Sequence, residues 1–213
     1  MHIISEVPLN ICVLSSGKGS NLKSLLISQK NKKFTSKIAL IISNNSKSGV
    51  LEIAKKKNIP SFHISRKQFN SDSEFENKIL SILSQFKIDL IILAGYMKLL
   101  SAAIIRKYKN RIINVHPSLL PAFSGKGIYG YKVHEEVLNA GVKVTGATVH
   151  IVNEEYDKGP IILQKAVKID INETSGSLQK KVLKAENKLL QEAIRLYENK
   201  KIKLAKDKVI INL

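Results

Sequence analysis

The stretch "ICVLSSGKGSNLKSLL", residues 11–26, joins three patterns that together indicate a fold class. Its first four residues are apolar and predict a buried strand, the turn SSGKGS ends that strand, and the leucine spacing beyond it predicts a helix. A strand, a short glycine-rich turn and a helix in direct succession are typical of α/β proteins. Ligands in such proteins bind at the carboxyl ends of the strands, which is where this turn lies.

Apolar runs of the same kind recur along the first half of the chain, each followed by a longer amphipathic stretch. Continuous apolar strands separated by helices predict a mostly parallel sheet with helices on both faces, which is a Rossmann-like α/β fold. The predicted strands lie at 38–43, 61–65, 89–95 and 111–116, with a helix near 101–109.

The pattern changes after Pro121, where the predicted strands become longer. No repeat, low-complexity segment or linker interrupts the chain, so we expect a single domain over 1–213, with an N-terminal half of about 10–110 and a C-terminal half of about 111–213. The elements predicted beyond Pro121 are a glycine-rich loop at 123–132, a helix near 132–140, strands at 143–152 and 160–169, a helix at 175–199 and a hairpin at 201–212.

The composition is that of a globular protein, since 44% of the 213 residues are hydrophobic and 24% are charged. The apolar run at 90–97 is far too short to span a bilayer, and the N-terminus has no basic region followed by an apolar core. We therefore expect a cytoplasmic protein without a membrane segment. The single cysteine, Cys12, lies in an apolar strand run, which indicates a buried structural residue and not a catalytic thiol.

The net charge of +18 has at least three interpretations: nucleic-acid binding, anionic small substrates, or a coding bias toward lysine. Few of the 35 basic residues are arginine, although arginine forks are the usual readers of bases and phosphates. The lysines are spread from Lys18 to Lys208, and aromatic residues are not interleaved with them. We therefore favour a solvated lysine-rich surface, which would still attract polyanionic ligands, over a nucleic-acid-binding module.

The turn after the first strand suits a phosphate group. Gly17 and Gly19 would let the backbone approach an anion closely, and Ser20 or Asn21 could cap the helix or bind the anion. The turn is not a Walker loop, and Leu22 stands where the third glycine of a dinucleotide fingerprint belongs. The sequence therefore predicts a site for one phosphate, and a plain strand-to-helix turn is the alternative.

A second group of polar residues follows the apolar run in "NVHPSLLPAF", residues 114–123. In an extended strand Asn114 and His116 point to the same face, and the proline that follows forces a turn. Asp157, in the acidic loop at 153–160, is a carboxylate that would orient an imidazole and favour its protonated form. These residues would make His116 a general acid and oxyanion stabiliser, with Asn114 as a neutral donor. The alternatives are a structural histidine and a solvated loop acid.

Other chemistry has no matching motif in the sequence. The five histidines show no metal-ligand spacing with one another or with Cys12, and no nucleophile elbow occurs. We expect His150, in "TVHIV", to pack or to hydrogen-bond within its strand. The sequence therefore predicts no metal site.

The chain closely resembles the phosphoribosylglycinamide formyltransferase family, folate-dependent enzymes of purine biosynthesis, in five segments that follow the family's order. The resemblance extends from about Asn10 to Asn212. The motifs Asn-x-His-Pro-Ser-Leu-Leu-Pro and Asp-x-Gly-Pro belong to 10-formyltetrahydrofolate-dependent enzymes generally, whereas the start Gly-x-Gly-Ser-Asn-Leu is typical of this family. The segments are "LSSGKGSNL", "LAGYMKLLS", "NVHPSLLPAF", "GVKVTGATVHIVNEEYDKGPIILQ" and "AENKLLQEAIRLY".

The resemblance implies a role for each matching residue. His116 would be the general acid, Asp157 would raise its pKa, and Asn114 would help to hold the formyl oxygen. The residues implied in binding are Gly19, Ser20 and Asn21 for the ribonucleotide phosphate, Glu186 for the ribose, and the backbone of Met97, Lys98, Leu99 and Leu100 for the pterin ring.

The implied reaction is formyl transfer from 10-formyltetrahydrofolate to the amine of 5'-phosphoribosylglycinamide, on the route to IMP. The amine would attack directly, with neither a metal nor a covalent enzyme intermediate. The family likeness also implies the formyltransferase fold, a phosphate-binding N-terminal half and a catalytic, folate-binding C-terminal half. The expected partners are these two small molecules, without nucleic acid or membrane, and the expected state is a monomer or a weak homodimer.

The sequence departs from the family pattern at three positions outside the catalytic residues. Lys98 stands where the family often has arginine, and Leu183 stands where some members have a polar residue. Asp72 occupies a position where a basic residue commonly meets the folate glutamate tail. A carboxylate there would repel the tail, so Lys67 or another lysine would have to take over that contact.

Two other folate enzymes share the Asn, His and Asp motif residues. Formyltetrahydrofolate deformylase has a regulatory domain before the catalytic one, and we expect none here because the first strand begins near Asn10. Methionyl-tRNA formyltransferase has an added C-terminal domain for tRNA, whereas this sequence ends in the predicted hairpin. The expected activity is therefore transfer to a small phosphorylated amine.

Overall fold

A computed structural model describes residues 7–125, 127–206 and 208–212 of the chain. The chain forms two compact units, the first ending at Ile113 and the second beginning at Asn114. This boundary is close to the one expected between the two halves, while the single domain over 1–213 stays a prediction. The predicted loop at 123–132 and the predicted hairpin each include one residue, Lys126 and Asp207, that lies outside the described residues.

The first unit alternates strands and helices, as the apolar periodicity predicted. The apolar side chains of its long strands are almost all buried, so these strands form the core. Its elements are β1 (Asn10–Leu14), α1 (Ser20–Lys30), β2 (Lys37–Ser43), α2 (Gly49–Lys56), β3 (Ser61–His63), a 3-10 helix (Arg66–Gln68), α3 (Asp72–Gln85), β4 (Leu90–Leu93), α4 (Ala102–Lys107) and the first residues of β5 (Ile112–His116).

The second unit contains the remaining predicted elements at the expected places. The two long strands form an antiparallel pair, and the last two strands form a hairpin. Its elements after β5 are α5 (Tyr131–Asn139), β6 (Val144–Ile151), β7 (Ile161–Lys168), α6 (Ser175–Glu198), β8 (Ile202–Ala205) and β9 (Lys208–Ile211).

The seven strands from β1 to β7 form one sheet in the order β3-β2-β1-β4-β5-β6-β7. Strand β1 is parallel to both β2 and β4, and β2 is parallel to β3, whereas β6 and β7 are antiparallel. The prediction of a mostly parallel α/β sheet is therefore confirmed. The strand order reverses between β1 and β4, and ligands of such sheets bind at the carboxyl ends of the strands beside this point.

Helix α6 shows how a sequence pattern becomes a packed element. It begins after Thr174, whose hydroxyl accepts a hydrogen bond from the Ser177 N–H at 3.2 Å, while the Ser177 hydroxyl accepts one from the Thr174 N–H at 3.0 Å. Such reciprocal bonds satisfy N–H groups at the start of a helix. Apolar residues then recur every three or four positions and are buried, among them Leu178, Val182, Ala185, Leu189 and Ala193.

Cys12 is buried in β1. Burial raises the pKa of its thiol well above the ordinary value, which disfavours the reactive thiolate. This environment agrees with the structural role expected for Cys12. Among the described residues, no helix is both long and apolar enough to cross a bilayer.

Candidate active site

Asn114 and His116 lie at the end of β5 next to Asp157, so the structure brings the three predicted catalytic residues together. Nδ1 of His116 lies 3.5 Å from Oδ2 of Asp157. Nδ2 of Asn114 donates a hydrogen bond to Oδ1 of Asp157 at 3.2 Å. The His116 side chain is only 5% exposed and that of Asp157 only 12%. One shielded carboxylate therefore serves both the imidazole and the amide.

The loop that carries Asp157 depends on the glycine two residues later. Asp157 has a left-handed backbone conformation with φ of 54°. A Cβ on Gly159 would lie 1.7 Å from the carbonyl oxygen of Ile151, which is far shorter than any non-bonded contact of a side chain. Only glycine lets the chain pass this carbonyl on its way from β6 to β7. The Asp-x-Gly-Pro motif thus has a local physical reason at its third position.

Both ring nitrogens of His116 face oxygen atoms. Nε2 lies 2.8 Å from the carbonyl oxygen of Phe123, and Nδ1 faces the carboxylate of Asp157. Two acceptors favour a doubly protonated ring, whereas burial disfavours the charge. Burial is the strongest influence and lowers the pKa of His116; Asp157 and the Phe123 carbonyl raise it in part, and His150 lowers it further.

The net pKa of His116 therefore lies below its ordinary value of 6.5. The predicted influence of Asp157 is present, since this carboxylate does raise the pKa. This increase is smaller than the decrease caused by burial, and the sequence could not reveal how deeply His116 is buried. His116 is consequently mainly neutral at pH 7 in this structure.

Asp157 is held in its ionised form by the groups around it. Burial alone would raise its pKa, but His150 and His116 in their protonated forms, together with the backbone N–H of Gly125, lower it overall. The Gly125 N–H donates to Oδ2 of Asp157 at 3.3 Å. The carboxylate is thus charged at neutral pH and attached to the loop that follows Phe123.

His150 is a member of this cluster that the sequence analysis missed, because it was expected to serve only its own strand. Its Nε2 lies 3.1 Å from Nδ2 of Asn114 and 3.6 Å from Oδ1 of Asp157. Its Nδ1 lies 3.1 Å from the carbonyl oxygen of Ile151. The consistent assignment has Nδ1 donating to that carbonyl and Nε2 accepting from the Asn114 amide. The sequence did contain a signal for this role, since Thr148 and His150 are two positions apart in a strand and so lie on the same face.

Asn114 therefore uses both N–H bonds of its amide inside the protein. One goes to Nε2 of His150 and the other to Oδ1 of Asp157. Turning the amide over would place its oxygen against the Asp157 carboxylate, which is electrostatically unfavourable. The predicted role of Asn114 as a donor to the substrate requires one of these bonds to be exchanged.

A buried hydroxyl fixes the proline-containing turn after His116. Oγ1 of Thr148 donates to the carbonyl oxygen of Ser118 at 2.7 Å and accepts from the Leu120 N–H at 3.0 Å. The Gln164 amide donates to the same hydroxyl and to the Leu120 carbonyl oxygen, each at 3.0 Å. The turn that follows His116 is therefore bonded to both β6 and β7.

The turn between β1 and α1 in the first unit has the predicted place in the fold. Gly19 precedes α1, and Ser20 and Asn21 are its first two residues. Gly19 precedes the helix with φ of 78°, and a Cβ there would lie 2.6 Å from Cδ1 of Ile53. The left-handed φ favours glycine at this position, and Cα of Val50, 3.2 Å from such a Cβ, leaves little room for a side chain. The first N–H groups of a helix have no partner within it and attract anions. The geometry is compatible with the predicted phosphate site.

Ser16 connects this turn to the predicted folate segment and was also missed. Its hydroxyl accepts from the Met97 N–H at 3.0 Å and donates to Oδ1 of Asn44 at 2.6 Å. Its own N–H donates to the Gly95 carbonyl oxygen at 3.0 Å. Within the segment 97–100, Leu100 is buried, whereas the preceding three residues are exposed.

Two further predicted positions have defined surroundings. Glu186 lies in α6 and is largely buried. Asp72 begins α3, and its carboxylate is paired with the guanidinium of Arg66. This pairing partly offsets the repulsion that Asp72 would exert on an acidic folate tail.

His134, in α5, is a third buried histidine of the second unit. Burial, with His116 as a smaller influence, lowers its pKa to about 4. In the described part of the chain its Nδ1 has no hydrogen-bond partner. The described residues contain no group of three or more His, Cys, Asp or Glu side chains suited to holding a metal ion.

Comparison with known proteins adds an independent line of evidence. Residues 9–194 match the model of the formyl transferase family. The chain is 38% identical to phosphoribosylglycinamide formyltransferase of Bacillus subtilis over 183 residues, which make up 86% of this chain and 91% of that protein. The crystal structure of glycinamide ribonucleotide transformylase 1 from Symbiobacterium toebii matches with a TM-score of 0.88 and 34% identity, covering 96% of this chain and 94% of the other.

The chain also resembles part of a much longer protein. It is 39% identical over 198 residues to the trifunctional purine biosynthetic protein adenosine-3 of Gallus gallus. The match covers 92% of this chain but only 19% of that relative. The chain therefore spans about a fifth of the length of this multifunctional protein.

Proposed function

The chain belongs to the formyl transferase family, and we propose that it transfers the formyl group of 10-formyltetrahydrofolate to the amine of 5'-phosphoribosylglycinamide in purine biosynthesis. The observation that carries this proposal is the buried cluster of Asn114, His116 and Asp157. It occurs in a chain that aligns with phosphoribosylglycinamide formyltransferases over most of its length. 10-Formyltetrahydrofolate is the formyl donor of the family, and it supplies an activated formyl group.

His116 moves the proton that the reaction has to relocate. As the amine attacks the formyl carbon, the amine nitrogen gives up one proton, and the departing folate nitrogen gains one. His116, mainly neutral at pH 7, accepts the first proton and delivers it to the leaving nitrogen. The general-acid role expected from the sequence is the second of these steps, in which His116 delivers the proton to the leaving nitrogen. Asp157 stabilises the imidazolium that exists between the two steps.

The ring of His116 has to be released before it can take part. Its Nε2 is bonded to the Phe123 carbonyl oxygen, and the nearby Gly125 N–H is bonded to Asp157. Substrate binding therefore exchanges the Phe123 contact for one to the reacting nitrogen. The segment 123–125 moves away from the ring in this step.

Asn114 donates a hydrogen bond to the formyl oxygen as negative charge develops there. Of its two present bonds, the one to Asp157 is exchanged and the one to His150 is kept. His150 thus holds the amide in orientation while the other N–H reaches the substrate. Removal of one donor to such an oxyanion typically lowers kcat about 10²–10³-fold.

Binding roles are proposed for residues of each unit. Gly19, Ser20 and Asn21 hold the ribonucleotide phosphate through the start of α1, and Glu186 bonds to the ribose. The segment 97–100 binds the pterin ring through backbone groups other than the Met97 N–H, which Ser16 already uses. The lysine-rich surface draws both anionic substrates toward the protein.

Several sequence-based expectations keep the status of predictions. They are the absence of a catalytic metal, of nucleic-acid partners and of a membrane anchor, the cytoplasmic location, and a monomer or weak homodimer. Only small-molecule partners are needed for the reaction proposed.

The activity can be tested with purified protein and 10-formyltetrahydrofolate, with and without the ribonucleotide, by ultraviolet absorbance. Turnover should require the ribonucleotide and should fall about 10²–10⁴-fold in His116→Ala, because the proton carrier is lost. The matched control is His63→Ala, which removes a histidine of β3 that lies outside the cluster and should leave turnover unchanged.

Two results would contradict the proposal. Turnover without the ribonucleotide would indicate a hydrolase that uses water as the acceptor. Equal turnover in His116→Ala and the wild type would show that another group carries the proton.

A further inference from the structure

Helix α1 has an apolar stripe in addition to the one that it buries. Its core-facing residues are Leu22, Leu25 and Ser28. A second stripe runs along Lys23, Leu26, Ile27 and Lys30, at the spacing of one helical face. Ile27 in this stripe is 61% exposed. The helix therefore presents an apolar strip, bordered by lysines at both ends, in which Ile27 stays largely exposed among the residues that the structure describes.

A groove lies along this stripe. Its other wall is the end of α2 and the segment after it, and the start of β2 also contributes to the lining. The cavity has a volume of about 740 Å³, which falls within the range of small-molecule binding sites, roughly 300–1,000 Å³. The lining consists of Lys23, Leu26, Ile27, Gln29, Lys30, Lys37, Ile38, Ile53, Lys56, Lys57, Asn58, Ile59 and Pro60.

Apolar side chains and lysines make up most of the lining, and the amides Gln29 and Asn58 are the remainder. Six of its side chains are apolar and five are lysines, and none is acidic. Lysine stems add apolar surface while their ammonium groups stay at the rim in water. Nothing in the lining balances the five positive charges. A neutral apolar ligand would not pair with these charges. An anion with an apolar body complements both the apolar side chains and the lysines.

We propose that this groove binds a small amphiphilic anion, with its apolar body on the isoleucines and its carboxylate, sulfonate or phosphate among the lysines. Ammonium groups act as point charges and accept any of these anionic groups. The groove is separate from the proposed phosphate site, because Gly19, Ser20 and Asn21 are not in its lining. It is a second ligand site within the first unit and does not depend on the proposed reaction.

The test uses 8-anilinonaphthalene-1-sulfonate, an amphiphilic anion whose fluorescence rises in apolar surroundings, titrated into the full-length protein. We expect one saturable site. The uncharged analogue N-phenyl-1-naphthylamine should bind about tenfold more weakly or worse, because it cannot pair with the lysines. Equal affinity for the two probes would contradict the proposal, as would the absence of saturation.

Two matched pairs of variants locate the site. Ile27→Asp places a carboxylate in the groove, and Ile171→Asp makes the same change at a fully exposed position elsewhere. Lys56→Glu reverses a charge of the lining, and Lys55→Glu does so at the neighbouring exposed position of α2 outside it. The groove variants should weaken probe binding at least about tenfold, and the controls less than about twofold. Equal effects within a pair would overturn the proposal.

Two precautions keep the result interpretable. Ile53 is left unchanged because its side chain packs on Gly19, so its substitution would also disturb the phosphate turn. The titration is repeated with excess ribose 5-phosphate, which should not displace the probe. Displacement would place the probe in the phosphate site and contradict the proposal. Unchanged circular dichroism confirms that each variant is folded.

Discussion

The cluster around Asp157 and the turn at 17–21 differ in what fixes their geometry. In the cluster, buried side chains bond to one another, and the Asp157 carboxylate accepts from both Asn114 and Gly125. In the turn, the backbone carries the main features: Gly19 takes a conformation that suits glycine, and α1 begins directly after it. The cluster should therefore respond to a change of functional group, and the turn to a change of backbone shape.

After His116→Ala, the largest effect is expected from Asp157→Asn, which keeps the shape of the side chain and removes its charge. The imidazolium of His116 would lose its counterion, and the new amide would face the donors Asn114 and Gly125. We expect kcat to fall about 10²–10³-fold. The measurement is kcat at saturating concentrations of both substrates. The control Asp72→Asn, an exposed residue of α3, should stay near wild type, and a loss below about fivefold for Asp157→Asn would contradict this assignment.

The second unit should also be sensitive to acid, because burial lowers the pKa of both His116 and His134. The pKa of His134 is lowered from 6.5 to about 4. The unfolded chain therefore binds a proton at higher pH than the folded one. Stability from this residue is complete above pH 6.5 and is lost as the pH falls toward 4, by about 1–3 kcal/mol.

Urea unfolding at about pH 7 and pH 4.5 measures this loss. In His134→Leu the difference in free energy of unfolding between the two pH values should be smaller by about that amount. An identical difference in both proteins would show that His134 doesn't contribute to the acid sensitivity.

A change of backbone shape in the turn is tested by Gly19→Ala. The new Cβ would contact Ile53, and φ of 78° is strained for alanine, so we expect about 1–2 kcal/mol lower stability. The KM for the ribonucleotide should rise about tenfold, with a smaller change in kcat. Gly17→Ala is the matched control, because a Cβ there meets nothing within 4 Å. Equal stability of the two variants would contradict the account of the turn.

The position of His150 in the cluster is tested by His150→Phe, which keeps a buried ring and removes the acceptor for Asn114. We expect kcat to fall about tenfold while the KM for the ribonucleotide stays within about twofold. His150→Gln offers an amide oxygen as acceptor and should recover part of the loss. A rise in KM with unchanged kcat would point to substrate contact and would contradict a positioning role.

The smallest effect is expected from Lys98→Ala in the segment 97–100, which is proposed to bind the folate. The proposed contact there uses the backbone, so removing the side chain should change kcat and the KM for the folate less than about threefold. Steady-state kinetics with varied folate measures both constants. A loss of tenfold or more would show that the ammonium group itself binds the folate.

The order and type of the elements could be read from the sequence because each strand is a continuous apolar run and each helix has a regular apolar stripe. The pairing of β6 with β7 was also accessible, since two long strands flank one acidic loop. Asp157 entered the predicted site partly through the family motif, because nothing local to residues 153–160 distinguishes a catalytic acid from a solvated one.

The remaining features depend on contacts that the sequence does not encode locally. His150 and Ser16 were missed because their partners, Asn114 and Met97, lie 36 and 81 positions away along the chain. The protonation of His116 results from a competition between burial and the charge of Asp157, and only the structure shows which prevails. The groove beside α1 likewise requires two helices to be placed side by side.

The most direct test concerns the claim that Asp157 opposes the burial that keeps His116 neutral. The measurement is the pKa of His116, followed by NMR titration of its imidazole in the wild type and in Asp157→Asn. The account predicts a pKa below 6.5 in the wild type and a still lower pKa in the variant. A wild-type pKa above 6.5, or a pKa that is unchanged or higher in the variant, would contradict it.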